Sequence, residues 1–272
     1  MEKGHSFHAT LVIISIMGIA LSCSNSETKL AKKRYEQAQK LYHANEFNNA
    51  KLILDSIIEY SQGKNEYHSL AKKLMNEISI NEQKQNLVFL DSLLGEREIQ
   101  LKTLKRYFMV DSIEGLPNRL VHFRQSANNS FNRTFIRPNL DENGTFFISS
   151  HYCGTTSIEH NQIKVYFDGN SALSEKIDYD DQLNRRYHDA TYKWEIIQFR
   201  DGKDNGVVDF IAQNVDKPIK VQFLGRASYS IVMESFDKEA VRDSYEMSFI
   251  IKEILRIKKE KENAIKLLKQ YE

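Results

Sequence analysis

Three side chains with nucleophilic or metal-binding chemistry fall close together: His151, Cys153 and His160. On a strand, alternate residues share a face, so His151 and Cys153 stand side by side, as a Cys–His nucleophile or a pair of metal ligands would. Zinc needs further ligands, and a cysteine hydrolase needs a carboxylate to orient the imidazole and donors for an oxyanion. No residue pattern supplies either. Cys153 therefore reads as a free, poorly reactive strand thiol, and no catalytic residue, cofactor or metal is assigned. The segment Asp201-Gly202-Lys203-Asp204-Asn205-Gly206 has the density of a calcium loop. Lys203 stands where a ligand oxygen belongs, however, and Ala212 where a bidentate Glu belongs, so a hairpin turn is expected. Asp178, Asp180 and Asp181 are followed by Arg185 and Arg186 and read as a solvated loop. Tyr152, Tyr187, Tyr192 and Trp194 form the remaining set, a candidate aromatic platform for a glycan.

The two cysteines, Cys23 and Cys153, sit in very different settings. Ala9 to Ser22 is an uncharged apolar run of 14 residues. At 1.5 Å per residue it is too short for a bilayer core of ~30 Å, and it fits the apolar part of a signal peptide. It ends in Ala20-Leu21-Ser22-Cys23, which resembles the lipobox of bacterial lipoproteins. Ala20 replaces the usual Leu, as in the Bacteroidetes. The resemblance implies cleavage after residue 22, acyl chains on Cys23, and a stable anchor in a membrane. It also leaves Cys153 without a disulfide partner. No Asp follows Cys23, so the residues after it carry no inner-membrane retention signal; the expected location is the cell envelope, anchored in the outer membrane on its periplasmic face or at the cell surface.

The apolar fraction, 41%, and the charged fraction, 28%, suit a globular chain with a sizeable core. Lys and Arg number 38 against 37 Asp and Glu, so the global charge gives no case for nucleic acid as a partner.

Residues 23–80 read as helical. Tyr35, Ala38, Leu41, Tyr42, and then Phe47, Ala50, Leu54, Ile57 and Ile58, recur at helical spacing around a turn at Asn45-Glu46. A further helix is expected over Tyr67 to Ile78. The pattern is similar to a tetratricopeptide repeat, with Ala38, Leu41, Phe47, Ala50 and Leu54 at repeat positions. Arg34 and Gln62 depart from the usual aromatic and proline. The resemblance implies binding of a peptide or protein, against the alternative of a plain helical hairpin. Residues 81–111 carry a second pattern, Leu87, Leu90, Leu94, Arg97, Leu101, Leu104 and Phe108, spaced as a heptad seam. The same spacing returns in residues 236–272 at Met247, Ile250, Ile254, Ile257, Lys261, Ala264, Leu268 and Tyr271. An antiparallel helical stalk is expected, with Arg97 and Lys261 needing carboxylate or solvent partners and Gly95 able to kink the outgoing helix.

Between the seams, residues 112–235 change to period two. Strands are expected at Leu120–Arg124, Thr134–Arg137, Thr145–Ser150, Ile163–Phe167, Lys193–Phe199, Val207–Ala212, Ile219–Leu224 and Tyr229–Glu234. Turn signals such as Asp168-Gly169-Asn170 separate them. The fold class is α+β, with an antiparallel β-sandwich inserted between stalk helices. This order of features resembles lipoproteins of the Bacteroidales. The expected function is that of a membrane-anchored, non-enzymatic binding or scaffolding module for an envelope protein. A glycan-binding lipoprotein is the alternative, and a Cys/His-dependent hydrolase ranks third.

Overall fold

The computed structural model describes residues 26–61 and 66–271. The expected leader, 1–22, and the lipidation site Cys23 lie outside them. The fold is α+β, with antiparallel sheets and long helices. It divides into two compact units, one reaching to Asp91 and resuming at Glu260, the other spanning Ser92–Lys259.

The first unit is helical. Helix α1 covers 26–43, α2 is Phe47–Ser61, and α3, Glu66–Lys105, begins here. Asn45 ends α1 in the left-handed conformation (φ 60°). Its N–H donates to the Tyr42 carbonyl and the Glu46 N–H to that of Leu41, the two bonds of a Schellman cap. Ala38, Ala50 and Ala71 are fully buried beside Leu54, Ile57 and Ile78, so small residues let the helices approach while larger ones fill the space between. Residues 66–105 form one continuous helix through Gly95, in place of two segments. The end of helix α6, Ser235–Leu268, joins this unit through an ion pair from Lys261 to Asp91.

The second unit holds the strands. β1 (Phe108–Asp111) pairs with β2 (Arg119–His122). A 3-10 turn, Phe123–Gln125, and a short helix α4, Ala127–Ser130, lead to β3 (Phe135–Leu140) and β4 (Phe146–Gly154). There follow β5 (Gln162–Phe167), β6 (Asn170–Leu173), β7 (Asn184–His188), β8 (Lys193–Phe199), helix α5 (Val207–Gln213), β9 (Lys220–Leu224) and β10 (Ser228–Val232). Two four-stranded antiparallel sheets result, ordered β3-β4-β8-β7 and β10-β9-β5-β6. Their buried residues belong to one core. Ile136, Ile148, Ile197 and Phe199 come from the first sheet, Ile163, Val165, Val221 and Phe223 from the second.

Several sequence expectations need correction here. Val207–Ala212 is helical, although its Val-Val start looks like a strand. Val207, Val208 and Ile211 are buried on one helical face, and the Asp204 carboxylate accepts the Val208 N–H at 3.2 Å. The segment Asp201–Gly206 is correspondingly a helix entry and not a hairpin. Phe108 belongs to a strand, and β1, β6 and β7 are additional. Pro138 is tolerated because β3 lies at a sheet edge. Within this unit the end of α3 and the middle of α6 run antiparallel. Leu101, Leu104 and Phe108 pack with Met247 and Ile251. Arg97 meets Glu253 at 3.9 Å and Lys258 meets Glu98 at 3.8 Å.

Candidate functional site

The second unit carries a cleft of about 830 Å³ on the side of sheet β3-β4-β8-β7 that faces away from the core. Strand register builds its floor. Arg137 of β3 stands opposite Ser149 of β4, which stands opposite Gln198 of β8. One step along, Phe135, His151 and Ile196 form the next row. Beyond it Cys153, Trp194 and Tyr187 form another. At the opposite end Asn139 pairs with Phe147, whose ring lies 3.8 Å beneath the Arg200 guanidinium. Rows are about 7 Å apart and columns about 5 Å. The floor thus grades from arginine at one end to stacked aromatics at the other.

The loop after β2 walls the cleft. Gln125 donates to the Ile136 carbonyl at 3.2 Å and to the Asp237 carboxylate at 2.6 Å. Arg133 ion-pairs with the same carboxylate, and its guanidinium lies 4.8 Å from the rings of both Phe135 and Phe236. Asp237 is 2% exposed, and burial pushes its carboxyl up to about 6 against the pull of Arg133. Phe131, 78% exposed, overhangs the opening.

The aromatic expectation divides. Tyr187 and Trp194 stack at 5.3 Å with an interplanar angle of 17°, and Tyr192 lies 5.8 Å from Trp194. Tyr152 is not part of this group. Alternation along β4 turns it inward with Ile148 and Ser150, where it is 4% exposed and donates its hydroxyl to the Thr156 carbonyl at 2.7 Å.

The three groups on which the hydrolase alternative rests are not brought together. His151 and Cys153 lie on the outer face, whereas His160 is fully buried on the core side. His151 stacks on Phe135 at 4.8 Å and shares a 3.0 Å hydrogen bond with the Ser149 hydroxyl, which accepts from Asn139. Burial, with the Arg137 charge, lowers His151 to about 3, so its ring is neutral at ordinary pH. Burial, with Asp189, raises the Cys153 thiol. A neutral imidazole beside a raised thiol is a poor nucleophilic pair.

Sequence reading missed a second constellation. The Ser150 hydroxyl lies 2.8 Å from His160 Nε2, and His160 Nδ1 lies 2.7 Å from Glu195. The order Ser–His–Glu is that of a hydrolytic triad, but all three are at most 1% exposed and the serine has no route to a substrate. Glu195 also accepts the Ser157 hydroxyl and the backbone N–H groups of Ile158, Glu159 and His160. Burial raises its pKa, yet those bonds prevail and hold the carboxyl at about 2. The loop before β5 is thereby tied to β8, one residue from Trp194.

Among the described residues no group of His, Cys, Asp and Glu is placed to hold a metal ion, and no helix is long and apolar enough to cross a membrane. No family model matches the chain, and no curated protein or solved structure matches it.

Proposed function

We propose that this protein is a non-enzymatic, lipid-anchored binding module of the cell envelope, and that its outer-face cleft takes a glycan. In this reading Cys23 carries the lipid at the outer membrane, the helical unit is a tetratricopeptide-like base, and the two sheets form a sandwich that presents the cleft. The observation that carries the reading is the stacked Tyr187–Trp194 pair at the margin of an open cavity of about 830 Å³. Stacked aromatics offer a flat apolar surface to the C–H face of a sugar ring, and the amides of Gln198 and Asn139 offer donors and acceptors to its hydroxyls.

The chain has one tryptophan, so intrinsic fluorescence reports on the cleft directly. Titration with oligosaccharides of several classes is expected to shift Trp194 emission saturably, and Tyr187→Ala is expected to weaken binding while keeping the reporter. A panel that leaves the emission unchanged overturns the glycan reading. The anchor is tested separately. Intact mass of the native protein is expected to show a chain starting at Cys23 with acyl additions, and an unmodified start elsewhere refutes it.

A second reading, scaffolding of a protein partner, is favoured by the helical unit. Val88 and Phe89 on α3 are 72% and 63% exposed, adjacent large apolar groups of the kind that mark partner surfaces. Capture from native envelope that is lost in a Val88→Asp, Phe89→Asp variant supports it, and capture that survives this change refutes it.

A further inference from the structure

The cleft has an electrical asymmetry that a neutral ligand would leave unused. Four arginines line it: Arg119, Arg133, Arg137 and Arg200. Two of them are neutralised, Arg119 by Asp111 and Arg133 by Asp237. Arg137 and Arg200 make no ion pair with a carboxylate among the described residues. Arg137 donates only to the Gln125 carbonyl, at a long 3.3 Å, and its Nε is buried without a hydrogen-bond partner. Burial and the neighbouring Arg119 depress its pKa. Even so, a guanidinium remains charged at ordinary pH, so a positive charge sits at the floor only partly solvated. Arg200 is held over Phe147 by a 2.8 Å bond from its Nε to Gln198, and its terminal nitrogens have no hydrogen-bond partner among the described residues. Gln198 is two strand spacings from Arg137 and Arg200 two residues further along, so the two arginines stand about 12 Å apart at the backbone, a gap that two arginine side chains can span to meet one acid group.

We propose that the ligand is an acidic saccharide, with its carboxylate or sulfate held between Arg137 and Arg200 and its ring carried toward Tyr187 and Trp194. The assignment rests on the glycan reading above. It specifies the sign of the ligand and the residues that recognise it. Arginine suits this task because its planar fork matches carboxylate and sulfate oxygens two at a time. Arg137 lines the cleft with one long hydrogen bond and no carboxylate of its own among the described residues, and an acid group there would supply that counter-charge. The aromatic end then supplies area without charge, so affinity divides between a stacking part and an ionic part.

The experiment titrates Trp194 fluorescence with oligosaccharides of equal length, one neutral, one carrying uronic acids and one sulfated. At low salt the acidic ligands are expected to bind roughly tenfold or more tightly than the neutral one. The preference should shrink as salt screens the contact. Whichever acidic arm binds better identifies the acid group. In Arg137→Gln with Arg200→Gln, acidic affinity is expected to fall to the neutral level, while Tyr187→Ala weakens neutral and acidic ligands alike. Arg200→Gln alone lies at an exposed position and keeps the test valid if the double variant folds poorly. It should still remove most of the preference. Equal binding of neutral and acidic ligands, or a preference that survives both arginine changes, overturns the proposal and leaves the glycan reading standing. Silence with all three ligands overturns both.

Discussion

Replacing Glu195 by Gln isolates the contribution of a single buried charge. The carboxylate is 1% exposed and accepts five hydrogen bonds, three on Oε1 and two on Oε2. Gln keeps the shape but turns one oxygen into a donor. The less damaging choice puts the NH₂ where Oε2 was, facing the His160 N–H and Nδ1. The imidazole can change tautomer to accept, but the backbone N–H cannot and is left unpaired in the core, a cost of about 1–3 kcal/mol. The bonds remaining on the other oxygen lose their charge assistance. A second route gives a similar figure. A carboxyl held at about 2, against an ordinary 4.5, is favoured by folding by about 3 kcal/mol at neutral pH. The expected loss for Glu195→Gln is therefore about 3–4 kcal/mol. Urea unfolding at pH 7, followed through Trp194 beside the substituted residue, measures it. An unfolding free energy within about 0.5 kcal/mol of the parent would refute the view that this cluster is a structural tie.

Two groups near the cleft give opposite pH dependences. His151 is lowered to about 3, so the unfolded chain takes a proton that the fold excludes, and stability falls as pH drops from 6.5 toward 3. Asp237 is raised to about 6, so its contribution is full below pH 3.8 and is lost as pH rises through 6. Unfolding followed across pH 4 to 6 should steepen its acid loss in Asp237→Asn and lose that slope in His151→Gln; unchanged slopes would refute both assignments. Leu101 and Leu104 pack with Met247 and Ile251, so changing both leucines to Asp is expected to cost at least about 4 kcal/mol and to raise amide exchange between Met247 and Ile257. Unaltered exchange there would show that the helices do not depend on each other. Cys153 is expected to alkylate several-fold more slowly in the native protein than in urea, since burial raises its pKa, and faster native labelling would revive a reactive thiol.

The elements that depend on local pattern were readable from sequence, and those that depend on partners were not. Heptad spacing located the buried faces of α3 and α6, because Leu90, Met247, Ile250, Ile254, Ile257 and Ala264 are buried as that spacing requires. β8 was legible from Lys193 to Phe199, but β7, Asn-Arg-Arg-Tyr-His, has too few apolar residues to announce an edge strand. For α5, β-branched Val207 and Val208 suggest a strand, and the outcome is decided by the Asp204 carboxylate on the Val208 N–H and by burial at 207, 208 and 211. At the site, Tyr152 shares its aromatic character with Trp194 but not its side of the sheet. Parity along β4 could have revealed this once the strand was extended to Gly154. The pairing of Arg137 through Ser149 to Gln198 and Arg200 had no local signal, since it arises from strand register across more than sixty positions. The Ser150–His160–Glu195 cluster was hidden for the same reason.

The ion pair between Lys261 and Asp91 joins residues 170 positions apart in the sequence. During synthesis α3 is complete long before its partner in α6 exists, and the apolar stripe through Leu90, Leu94, Leu101 and Leu104 has nothing to cover it. Pairing of the strands in between shortens the effective loop that α6 must span. Slow folding for the chain's size, with an apolar helix face exposed until α6 is made, is the expected consequence. Shielding by a chaperone would therefore matter most for α3, and a chain truncated before Ser235 would gain the sheets' residues without ever losing the sticky helix.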